Sequence, residues 1–62
     1  MNEKIKRLIL DYVSLFDDCA NDFWLIRQET ERDSSRSAQY ANAAAKTALE
    51  AYRLFLCAKD EI

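Results

Sequence analysis

The sequence has no histidine, no glycine and no proline, and only two cysteines among its 62 residues. Each absence removes a class of chemistry. Without histidine there is no ordinary pairing of a nucleophile with a general base, and two thiols cannot fill the usual four-ligand shell of thiolates and imidazoles around zinc. Without glycine, the common phosphate-cradling loops and tight oxyanion nests are excluded. Cys19 and Cys57 each lie in or beside an apolar helical stripe, where thiols pack as small hydrophobes and do not act as nucleophiles. Two cysteines in an otherwise cysteine-poor chain point to a reducing compartment rather than a disulfide framework. The expectation is a chain that is not an enzyme and holds neither cofactor nor metal.

A long hydrophobic run is also missing. The basic start, with Lys4, Lys6 and Arg7, leads into apolar residues that Asp11, Asp17 and Asp18 interrupt. A spanning helix needs roughly 20 mostly apolar residues, and a signal peptide has a different layout. A cytoplasmic protein with no membrane partner is expected. Charge of one sign is not dominant either: nine basic residues face eleven acidic ones, a net charge of −2, so no global field favours nucleic acid. Half of the residues are hydrophobic, which argues for a folded chain and against disorder.

What is present is helical pattern. Seven alanines fall within the fourteen residues Ala38 to Ala51, a strong helix former because alanine loses no side-chain entropy on becoming helical. A face that small admits another helix at close range. The bulky residues that could cover it lie upstream: Ile5, Ile9, Tyr12, Phe16, Cys19, Phe23 and Ile26 alternate in steps of four and three, which keeps one seam on one side of a helix. Asn2 is placed to cap this helix, with Glu3 in its first turn where the dipole favours an acid. Leu8, Val13, Leu15 and Ala20 widen the stripe. Leu10, Trp24 and Leu25 fall outside even the widened stripe, a surplus that one helix pair cannot cover.

From Arg27 to Ser37 no apolar side chain occurs. One continuous rod or a turn would both fit that stretch, and the phase of the pattern separates them. Continuing the first seam lands on Thr30, Asp33, Ser37, Tyr40, Ala44 and Thr47, whereas the second apolar pattern fits Ala38, Ala41, Ala45, Ala48, Tyr52 and Phe55. The register slips by one residue across the serines, as expected of a hairpin. The spacing therefore predicts an all-α single domain over residues 1–62, with one helix at about 2–32, a turn at about 33–37 and a second helix at about 37–60. A chain this short buries only about 60% of the surface its unfolded form exposes, so self-association is the expected route to stability. The predicted architecture is an antiparallel helical hairpin that dimerises into a four-helix bundle.

Three functional readings follow from what is left on the surface. In the leading one the chain is a regulatory or inhibitory protein that binds a larger protein, anchored by Leu10, Trp24 and Leu25 and oriented by the acids Asp17, Asp18 and Asp22. Trp24 could equally pack inside the bundle or where two hairpins meet, and the acids could be no more than a solvated helix side. The alternative is a hairpin dimer that binds RNA or DNA through Arg36, Gln39, Asn42, Lys46 and Arg53, a polar ridge suited to phosphates and base edges. The third is a structural subunit of a larger helical assembly. The compact acidic helical style suits a phage or other mobile element.

Overall fold

The computed structural model describes residues 1–62 and contains two helices, α1 (Glu3–Thr30) and α2 (Arg36–Glu61). They pack against each other as a hairpin 44 Å long. Asp17 meets Tyr52 and Arg27 meets Asn42, so numbers rise along one helix as they fall along the other: the pair is antiparallel. No helix is long and apolar enough to cross a membrane.

The ends are set by local chemistry. The Asn2 side chain accepts the Ile5 N–H at 2.9 Å, which satisfies one of the donors a helix start leaves free. α1 stops at Thr30, two residues earlier than the pattern suggested. The chain then reverses over residues 31–35. Asp33 accepts the Ser35 N–H at 2.9 Å, and the Ser35 hydroxyl accepts the Ala38 N–H at 3.3 Å, so one short polar side chain shapes the turn and the next caps α2. Such a cap is worth about 1 kcal/mol.

On α2 the expected seam faces α1: Ala38 and Ala45 are buried, and Ala41, Ala48, Tyr52 and Phe55 are half-buried. On α1 the contact face is rotated from the expected one. Ile9 and Val13 are its most buried residues, continued by half-buried Phe16, Ala20, Phe23 and Arg27. Ile5, Tyr12 and Ile26, expected in the seam, stand exposed along one flank, and Cys19 is half-buried beside them. The reason is that α1 carries two overlapping apolar stripes. One runs through Val13 and Ala20, the other through Tyr12 and Cys19 to Ile26, and Ile9, Phe16 and Phe23 belong to both. Hydrophobic spacing does not choose between them. Seating α2 on the first stripe lets Asn42 reach the Arg27 carbonyl and Tyr52 reach Asp17, so cross-helix hydrogen bonds select that edge.

Phe16 is the centre of the packed interior. Its ring lies 5.7 Å from Phe55, 6.2 Å from Phe23 and 6.3 Å from Tyr52, all tilted, the separations at which aromatic pairs attract beyond their area. Only four residues are buried, and no large side chain is fully so. One hairpin leaves twelve large hydrophobic side chains exposed to water.

Candidate functional site

The seam divides the hairpin into two flanks. On the first, α1 and its C-cap present Leu10, Asp17, Trp24 and Glu31 at intervals of seven, and α2 presents Gln39, Lys46 and Arg53 at the same interval. Residues seven apart stay aligned along a packed helix. A Lys46–Glu31 ion pair at 3.6 Å joins the two rows, and Tyr52, from the seam, donates a hydrogen bond to Asp17 at 2.8 Å. On the second flank the exposed residues of α1 are apolar except for Asp22 and Glu29.

The expected partner-binding residues are shared among three surfaces. Leu10, Asp17 and Trp24 line the first flank. Asp18 and Leu25, also seven apart, run along the outer side of α1, away from α2. Asp22 turns toward the apolar flank. The acids are thus not one patch, and Asp17 already accepts the Tyr52 phenol.

Trp24 is 55% exposed, too open for a core residue of the hairpin. The guanidinium of Arg27 sits 4.9 Å from its ring centre, the geometry of a cation–π contact worth about 0.5–1 kcal/mol at an exposed site. Together with Gln28, Glu31 and Arg32 they frame an open recess of about 660 Å³ near the turn. An aromatic face bordered by both signs of charge can take an apolar side chain with polar neighbours. It has no activated nucleophile, and no group of three or more acidic or thiol side chains converges anywhere in the hairpin.

The residues of the nucleic-acid alternative are mostly engaged within the chain. Asn42 donates to the Arg27 carbonyl at 3.0 Å, the Thr30 hydroxyl at 3.2 Å and the Glu31 carboxylate at 2.9 Å. Gln39 donates to the Ser34 carbonyl at 3.1 Å, and Arg53 pairs with Glu50 on its own helix. Lys46 holds Glu31, and of the three cations in the set only Arg36 has no ion pair. The Asn42 hydrogen bond, and after it the charge of Lys46, hold the Glu31 carboxyl below its usual range. Sequence reasoning missed this link at the turn end. Its signal was a lone amide at position 42 of an alanine-rich seam, the kind of polar residue that fixes helix register.

The hydrogen bond to Asp17, reinforced by burial and by the carboxylate's charge, raises the Tyr52 phenol above its ordinary value. A group raised in the folded state stabilises it fully below the unfolded value, about 10, and that stability is lost as pH rises through the folded value. Alkaline titration followed by tyrosinate absorbance should therefore show Tyr52 ionising late and with loss of helix. Asp17→Asn should bring its titration down, and an unchanged profile would remove the bond from the account.

Compared with known proteins, the chain matches no family model, no curated protein and no solved structure. What it does has to be argued from its own residues.

Proposed function

We propose that this chain is a small non-enzymatic regulatory or inhibitory protein that works as a homodimer, two hairpins in one four-helix bundle, and acts by occupying a surface on a larger protein. The supporting observation is that exposed apolar side chains fall on two opposite flanks of one hairpin. The broad flank of Tyr12 and Leu15 suits a second copy. The compact surface around Trp24, with Leu10 further along the same row, suits a partner, because tryptophan and arginine are enriched among the anchors that dominate protein interfaces. Free thiols at Cys19 and Cys57 fit a cytoplasmic setting. Nucleic-acid binding draws less support, since a phosphate would have to displace Glu31 from Lys46 and Glu50 from Arg53.

The deciding variant is Trp24→Asp, assayed against the partner that the wild-type chain captures from its source extract. Helix content and solution mass should stay unchanged while partner affinity falls at least about tenfold, the loss expected of an interface anchor. Undiminished binding would overturn this reading. So would tight, steeply salt-dependent binding of mixed-sequence RNA or DNA that Lys46→Glu and Arg53→Glu abolish.

A further inference from the structure

We infer that the hairpin pairs with its second copy through the flank opposite Trp24, and that α1 of each protomer seats on α2 of the other. The assignment deepens the homodimer reading and rests on it. Along α1, the exposed residues Ile5, Leu8, Tyr12, Leu15 and Ile26, with half-buried Cys19, advance in steps of three, four or their sum. That is a second coiled-coil seam, beside the one α2 already fills. On the same flank of α2, Ala41, Ala44, Ala48, Ala51 and Ala58 follow the same spacing, with Phe55 as the one large residue among them. The Lys46–Glu31 pair marks the other flank, so the bulky row and the small row lie side by side on this one.

Extent and charge both fit a second copy. The flank runs the length of a hairpin 44 Å long and 17 Å across between Cα atoms, so a second hairpin of the same dimensions covers it end to end. In a chain that is 32% charged, this flank carries no lysine or arginine, and its acids Asp22 and Glu29 are confined to the half nearer the turn. Like flanks can therefore meet without burying an opposed pair of cations.

Shape then selects the topology. If α1 met the partner's α1, two bulky rows would hold the helices apart, while the two alanine rows would face a gap; both cost packing. A twofold axis parallel to the helices avoids this, because it lays each bulky row on a small one and makes all four neighbouring helices antiparallel. Within one hairpin Phe16 lies level with Tyr52 and Phe55. The same axis keeps those levels, at which Asp17 meets Tyr52 and Arg27 meets Asn42, and brings Cys19 beside Ala51 of the partner subunit.

Light scattering over a concentration series, with reductant, should give twice the 7.2 kDa chain mass. Leu15→Glu and Ala44→Trp each change a residue exposed in the hairpin, so circular dichroism should stay helical while association weakens at least about 100-fold. Trp24→Asp, on the other flank, should leave the dimer intact. With Cys57→Ser, Ala51→Cys should oxidise onto Cys19 to give a covalent dimer, and Leu15→Cys in a Cys19→Ser, Cys57→Ser background should not. A covalent dimer from Leu15→Cys alone would place α1 on α1 and overturn the topology. A dimer that survives Leu15→Glu would overturn the assigned face and leave the homodimer reading standing. A wild-type monomer at every concentration would sink both.

Discussion

Ala45→Leu should lower the melting temperature by about 5–20 °C, the largest drop expected of a substitution that only adds methyl groups. Ala45 is the most buried residue of the chain, 2% exposed, and sits where α2 lies against α1. Extra methylenes forced into a filled contact cost about 1–3 kcal/mol, because neighbouring side chains must leave their preferred rotamers or the backbones must separate. A domain of this size loses about 4–8 °C per kcal/mol. The hairpin has little in reserve, since only four of its residues are buried. Ala43→Leu is the control: Ala43 is exposed on the same helix, so it shares the change in helix propensity and none of the crowding. Equal melting temperatures for the two variants, read by circular dichroism, would show that Ala45 does not set the distance between helices.

The second large effect is at Phe16. Phe16→Ala should destabilise the chain by about 3 kcal/mol, the lower end for phenylalanine truncation because the ring is half-buried and not enclosed. The substitution removes the ring that touches Phe23, Tyr52 and Phe55 and leaves a void between them. Phe16→Leu keeps most of the volume and should cost less than about 1.5 kcal/mol. Urea titration of the three proteins checks this order. If Phe16→Ala costs no more than Phe16→Leu, the aromatic cluster is not what joins the helices at mid-length.

The two predictions probe opposite ends of one design, bulky residues on α1 against small ones on α2. That asymmetry is legible in the order of residues alone, and so are the helices. Nothing between Asn2 and Glu61 is a glycine or proline, so the backbone is never released from helix except where polar side chains compete for it. Asn2 as a cap and the one-residue slip in phase that signals a hairpin are equally local facts, because propensity, capping and periodicity act within a few residues along the chain. The α2 seam is legible for the same reason: its few large half-buried residues, Leu49, Tyr52, Phe55 and Leu56, leave few choices.

The orientation of α1 is another matter. Its apolar stripe is wider than one neighbour can cover, and position along the sequence does not say which edge α2 will take. The tertiary structure decided for Val13 and Ala20 over Tyr12 and Ile26, because that edge also satisfies Asn42 and Tyr52, whose partners lie 15 and 35 residues away. The same choice drew Asn42 and Lys46 into the turn-end link and tied Asp17 to α2. By itself, then, the sequence determined two capped helices that must fold back on each other with bulk facing alanine. Which residues are left for a partner depends on how α1 is rotated, and that depends on hydrogen bonds formed only once the two helices meet.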